Sequence, residues 1–169
     1  MKKEICLSVI LIIIAVISRL VPHGWNFTAI GAVAVISGFL ISNRMLALLT
    51  VLGSLLISDL FLGFHNTMIA VYFGYVLMAL IGIFLAPNHK LSRIVATSFL
   101  ASLTFFLVSN LGVWIEGQLY PRTQTGLINC FKMGIPFFKN EMLSTLILAP
   151  ILFFILSYSI NLVSADVKS

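Results

Sequence analysis

MLALLTVLGSLLISDLFL–GFHN–TMIAVYFGYVLMALIGIFLA, residues 45–86, is the stretch whose reading decides the fold. Two apolar runs, Met45 to Leu62 and Thr67 to Ala86, are separated only by Gly63-Phe64-His65-Asn66. A helix rises about 1.5 Å per residue, so about 20 apolar residues cross the hydrocarbon of a bilayer, and both runs have that length. The pair predicts two membrane helices joined by a tight polar turn. Asp59 stands out within the first run. It sits about a turn from the end of its span, where an unpaired carboxylate is costly.

Four further apolar segments extend the pattern on either side: Ile5 to Val21, Phe27 to Ser42, Ile94 to Ile115, and Glu141 to Val163. The chain of 169 residues therefore predicts one all-α integral membrane domain, residues 1–169, folded as a six-transmembrane-helix bundle. The second segment would be only about 24 Å long as a helix, so it is expected to be broken or recessed unless its ends are buried in protein. Composition agrees: 60% of residues are hydrophobic, 9% are charged, and the mean hydropathy is +1.14. A soluble domain has about 25% charged residues. The length leaves no room for a separate nucleotide-binding ATPase.

The formal charge of +5 comes from scattered Lys and Arg residues that form no basic stripe, which excludes a nucleic-acid interface. They are topology signals. With the N-terminus inside, Lys2, Lys3, Arg44, Lys90, Arg93 and Lys168 lie on the cytoplasmic side, against Arg122, Lys132 and Lys139 outside. An excess of Lys and Arg in short loops marks the cytoplasmic side, so both termini are expected there. The opening Met1-Lys2-Lys3-Glu4 before an apolar run has the look of a signal peptide. No small-x-small site follows Ser18-Arg19-Leu20, and the segment is expected to be a retained first helix. Cys6 and Cys130 form neither a CxxC pair nor a disulfide framework.

In this topology the tight connections, Asn43-Arg44 and the link beginning Pro87-Asn88-His89-Lys90, fall inside. The three polar interruptions fall together outside: Pro22-His23-Gly24-Trp25-Asn26, then His65-Asn66-Thr67 beside Asp59, then Ser109-Asn110 with Trp114 and Glu116, continuing to Tyr120-Pro121-Arg122. Between Glu116 and Asn140, Leu127, Ile128, Phe131 and Ile135 recur at helical spacing with Lys132 off the stripe. They predict a short interfacial or re-entrant helix before the last span, stopped by Pro136, lying over the outer mouth or flat on the membrane surface. Small residues in spans two to four, such as Gly31, Gly38, Gly74 and Gly82, allow close helix approach. Pro150 should kink the last span, with Ser144 or Thr145 easing the lost bond.

These interruptions propose a site. His23, Trp25, Asn26, Asp59, His65, Asn66, Asn110, Trp114, Tyr120 and Arg122 are the candidate ligand-binding residues, with Thr28 as a further hydrogen-bonding group. Each has a plainer alternative. Arg19 lies at a depth comparable to Asp59, so an Arg19 to Asp59 ion pair accounts for both charges. Trp25, Trp114 and Tyr120 also suit an aromatic belt at headgroup depth. Lone histidines more often cap helices than ligate metal, and no HxxxH or HExxH spacing exists. The inner half of the bundle is expected to offer almost no hydrogen-bonding groups, which suits binding rather than a continuous polar pore. No GxSxG, P-loop or Gly-rich dinucleotide turn is present, so neither an enzyme nor a resident cofactor is expected.

The strings Arg19-Leu20-Val21-Pro22-His23-Gly24-Trp25-Asn26-Phe27-Thr28, Ser58-Asp59-Leu60-Phe61-Leu62-Gly63-Phe64-His65, Ser109-Asn110-Leu111-Gly112-Val113-Trp114, Tyr120-Pro121 and Ile135-Pro136-Phe137-Phe138-Lys139-Asn140 look like an uncharacterised family of small bacterial inner-membrane proteins. That family resembles the substrate-binding S components of energy-coupling-factor vitamin transporters. The resemblance implies a six-helix fold in the bacterial inner membrane and a vitamin-sized ligand held at the outer face by loops one, three and five. It also implies an energising module of T component and ATPases as partner. S components that share such a module carry an Ala-x-x-x-Ala face on span one. Here Ala15 has no small residue four positions before it.

Some solitary S-component-like proteins are associated with cobalamin, which the resemblance extends to a corrinoid with His65 as axial ligand to its cobalt. The cobalamin-binding relatives suggest a cysteine in that region, and none lies between Cys6 and Cys130. The expected function is a substrate-binding and translocating subunit for a small organic micronutrient. Two alternatives stand beside it: an intramembrane enzyme using Asp59, His65, His23 or Glu116, and a structural subunit of a membrane complex.

Overall fold

The structure is a computed structural model that describes residues 2–85 and 90–166, with side chains described as far as residue 159. The expected turn at Pro87-Asn88-His89 and the terminal Lys168 lie outside the described residues. Six helices follow in order: α1 (Lys2–Leu20), α2 (Ile30–Leu40), α3 (Arg44–Leu62), α4 (Met68–Leu85), α5 (Leu91–Glu116) and α6 (Gln124–Asp166). No strand occurs among the described residues. Four of these helices, α3, α4, α5 and the part of α6 from Gln124 to Ser159, are long and apolar enough to cross a membrane.

α2 explains the marginal second segment. It has only 11 residues, about 16 Å, too short to cross about 30 Å of hydrocarbon alone. Its residues Ile30 to Ser37 and Phe39 are all buried, and every other helix packs against it. A helix apolar on all sides belongs at the centre of a bundle, and α2 is that centre. Its crossing with α4 is backbone on backbone. A methyl group added at Gly38 would meet the backbone of Gly82 and Ile83, and one added at Gly82 would meet the Val35 carbonyl. α1 has the length of a span but carries Lys2, Lys3 and Glu4 at one end and Arg19 at the other. Its Ile5, Val9, Ile13 and Ile17 form an exposed apolar face, while Leu7, Leu11 and Ala15 face the core.

The C-terminal third corrects the sequence reading. No separate short helix precedes the last span: α6 runs unbroken for 43 residues, about 65 Å, with Pro136 and Pro150 both inside it. Pro136 removes only its own donor to the Lys132 carbonyl, and both residues are on the exposed side. Packing on α5 holds the helix together on either side of that gap. Phe106 stacks on Phe138 with centroids 4.6 Å apart and meets Phe131 edge-on at 5.5 Å. The Cys130 thiol donates to the Asn110 carbonyl at 3.3 Å. Gly134 leaves the space that the Asn110 side chain occupies.

The stripe Leu127, Ile128, Phe131, Ile135 belongs to this continuous helix and borders a shallow hollow with Phe106 and Lys132. Ile128 and Ile135 are exposed, and the buried face is Gly126, Cys130 and Gly134, three small residues four apart.

Candidate functional site

The ends of α1, α3 and α5 meet at one end of the bundle. Loops 21–29, 63–67 and 117–123 start or turn there with the positive-φ residues among those described, Asn26 (φ 58°), Gly63 (φ 91°) and Gly117 (φ 75°). Gly63 and Gly117 are helix C-caps whose amides return to the Asp59 and Val113 carbonyls. Asn tolerates the left-handed region better than other side-chain-bearing residues, which suits Asn26 to its turn. Beneath the three loops lies a cavity of about 450 Å³. Its walls come from all three loops, from α4 and α5, and from the first half of α6, which closes it with Cys130, Met133, Gly134 and Phe137.

Of the candidate ligand-binding residues, His23, Asn26, His65, Asn110 and Tyr120 line this cavity together with Thr28. Asp59 does not. It is 1% exposed behind Arg19, whose Nη2 donates to its Oδ1 at 2.7 Å, while Tyr72 Oη donates to its Oδ2 at 2.8 Å. Arg19 Nη1 also donates to the Ser58 hydroxyl. The ion pair foreseen in the sequence is present, and it fixes a guanidinium in the cavity lining. Arginine has five N–H donors, so this anchoring leaves others free for a ligand. Among the described lining residues are one guanidinium, two imidazoles and no carboxylate.

The other four candidates build the rim. Trp25 is 71% exposed and stacks on Phe137 with centroids 5.6 Å apart, and Asn140 donates to its carbonyl at 2.9 Å. Trp114 Nε1 donates to the Pro121 and Thr123 carbonyls at 3.1 and 3.3 Å, closing loop 117–123 on itself. Arg122 donates to the Glu116 carbonyl at 3.2 Å. Asn66 donates to Gln118 Oε1 at 3.1 Å, tying the loop after α3 to the loop after α5. Asn66 and Glu116 border a separate shallow hollow against α4.

The histidines are held locally. His23 places Nδ1 2.7 Å from the Gly24 carbonyl and Nε2 3.3 Å from the Arg19 carbonyl, at the end of α1. His65 Nδ1 lies 3.0 Å from Thr67 Oγ1. No group of three or more His, Cys, Asp or Glu is placed to hold a metal among the described residues.

Three features escaped the sequence reading. The cavity floor is aromatic, with Tyr75 and Phe105 in contact at 4.2 Å between centroids. Next to it Glu141, which the hydropathy pattern put at the mouth of the last span, is 2% exposed. Its Oε1 accepts from Thr145 Oγ1 at 2.8 Å, and its Oε2 has no partner. A methyl group at Gly31 would collide with both Thr145 and Glu141. The glycine in α2 was the available signal, since it marks where a side chain from another helix needs room. The bundle interior is also more polar than expected: Ser37, Thr50, Ser54, Thr97, Ser98 and Ser102 are all buried.

Comparison with curated proteins and with solved structures returns no match. A family model does match, over residues 1–164, nearly the whole chain including every element that builds the cavity. The chain belongs to that family, DUF6580, described as a family of unknown function.

Proposed function

We propose that this protein is a substrate-binding and translocating membrane subunit for a small, flat organic molecule rich in hydrogen-bond acceptors, of the size of a vitamin. The observation that carries the reading is the cavity of about 450 Å³ under the three loops, with an aromatic floor and donors from Arg19 and Asn110. Pockets for drug-sized ligands run from about 300 to 1,000 Å³ and combine apolar walls with a few placed polar groups. A corrinoid is larger than a drug-sized molecule, so the volume favours a more compact ligand over cobalamin with His65 on its cobalt.

In this proposal all six helices belong to a membrane bundle of the S-component type in the bacterial inner membrane, with both termini cytoplasmic. Pairing with Asp59 neutralises Arg19 and supports α1 as a span, while α2 sits recessed among its neighbours. The outward face of α1 carries Ile5, Val9, Ile13 and Ile17, and its small residue Ala15 is buried. That arrangement favours a subunit working without a shared energising module. An enzyme is disfavoured: both Asp59 oxygens are engaged, and Glu116 borders a different hollow from His23 and His65.

Native mass spectrometry of gently purified protein, followed by thermal-shift screening against vitamins, nucleobases and corrinoids, tests the proposal. A true ligand at a hundred times its dissociation constant should stabilise the fold by about 2.7 kcal/mol. Asn110→Ala and His65→Ala should reduce that shift. No stabilising compound and no uptake defect on deletion would remove the proposal, and a stoichiometric protein partner without small ligand would replace it by a structural role.

A further inference from the structure

Glu141 is the one carboxylate of the described residues that is buried without a countercharge; Asp59, the other buried one, is paired to Arg19. It faces α2 at Gly31, α4 at Tyr75 and α5 at Ser102. α2 contains no ionisable residue. Tyr75 is the one titratable side chain of α4 that faces it, and Tyr75 is also within electrostatic reach of the Arg19–Asp59 pair. α5 presents hydroxyls here, with Arg93 and Glu116 far along the helix toward its two ends, and Lys139 of α6 is exposed. An isolated ionised carboxylate in such a setting is costly, and a bound proton would remove that cost.

The hydroxyls beside it are unusual. Elsewhere in the bundle, Thr50, Ser54, Ser58 and Ser109 turn back onto the carbonyl four residues earlier. Ser102, Ser98 and Thr97 do not, and their buried oxygens have no partner. They descend α5 from Glu141 toward the opposite end, where Thr97 borders a second hollow with Lys90 and Arg93. Ser102 and Ser98 are a turn apart on α5, with Cβ atoms about 5–6 Å apart, a gap that one water bridges, whereas Thr97 is the neighbour of Ser98 and faces about 100° round the helix. At the other end Tyr75 and Phe105 line the ligand cavity, and Phe137 lies one turn above Glu141 on α6.

We propose that Glu141 is a proton-binding station, and that Ser102 and Ser98 form a hydroxyl relay leading from it toward the far end of the bundle, so that emptying the cavity is coupled to a proton. Each hop breaks one O–H bond and forms another, from the Glu141 acid through a hydroxyl or its bridging water to the next oxygen, with no net change along the row. The coupling rests on the transport reading, whereas the station itself does not.

Infrared difference spectroscopy of the full chain in lipid nanodiscs tests it without a ligand. At neutral pH the wild type should show the carbonyl stretch of a protonated buried acid. Glu141→Gln should lack that band, and Thr145→Val should shift its frequency. On transfer to D2O, Ser102→Ala and Ser98→Ala should slow exchange of the Glu141 proton by about tenfold or more. Should Glu141→Gln fail to fold, Glu141→Asp replaces it and must move the band.

Absence of the band in wild type overturns the station, and stabilisation by sodium that Glu141→Gln abolishes would reassign the site to a metal cation. Unchanged exchange in both serine variants overturns the relay. A Glu141 band with no cavity ligand would sink the transport reading and leave the station standing; a cavity ligand with no band would do the reverse.

Discussion

Replacing Asp59 by alanine isolates the interaction that fixes Arg19 in the cavity lining. Asp59 is 1% exposed, and both of its oxygens are engaged, by Arg19 at 2.7 Å and Tyr72 at 2.8 Å. The Arg19 side chain is 15% exposed, so Asp59→Ala strands a largely buried guanidinium. Breaking a buried pair from one side costs about 3–5 kcal/mol, chiefly the desolvation of the abandoned charge. Removing both charges is often neutral or better. Asp59→Ala should therefore lose about 3–5 kcal/mol and Arg19→Met a similar amount, while Arg19→Met/Asp59→Leu recovers most of the loss. Tyr72→Phe should lose about 1.5–3 kcal/mol, the worth of a hydrogen bond to a charged acceptor. The assay is reversible unfolding in mixed micelles, read as a double-mutant cycle. Single losses below about 1 kcal/mol, or losses that simply add in the double variant, would refute the reasoning.

Further outcomes follow from the packing. Gly38→Ala and Gly82→Ala force a methyl group into facing backbone and should each cost about 1–3 kcal/mol, whereas Gly53→Ala meets only Ile12 at 3.7 Å and should gain up to about 1 kcal/mol from helix propensity. The same unfolding assay ranks the three, and equal effects would contradict the α2–α4 crossing. Pro136→Ala restores a backbone donor in a continuous helix and should be neutral or stabilising; a loss above about 2 kcal/mol would mean that the proline shapes a break the structure does not have. Trp25→Ala removes the stack on Phe137, worth about 0.5–1.5 kcal/mol beyond area, and should speed ligand release more than it slows capture in stopped-flow binding.

The Arg19–Asp59 pair was legible because both residues interrupt apolar runs at matching depth, and buried charges pair. The meeting of the three loops was legible from alternation of spans. Trp114, Asn66 and Arg122 were chosen for their chemistry, yet they close the loops by hydrogen bonds to Pro121, Gln118 and Glu116, partners that hydropathy does not specify. Pro136 misled for a related reason: a proline states the local cost of continuing a helix, and contacts of Phe106 and Asn110 across to α6 outweigh it.

The sequence by itself determined that this is an all-helical chain with segments long and apolar enough to span a membrane, and which polar residues are too expensive to be idle, since those follow from hydropathy and segment length. Only the tertiary structure decided that α2 is the buried centre, that α6 is one helix roofing the cavity, and that Glu141 lies inside the bundle instead of at its mouth. The physical reason is that an apolar helix exposes nearly the same chemistry to lipid as to its neighbours, so hydropathy cannot say which face turns inward. Close packing at Gly31, Gly38 and Gly134 can, because those contacts depend on shape.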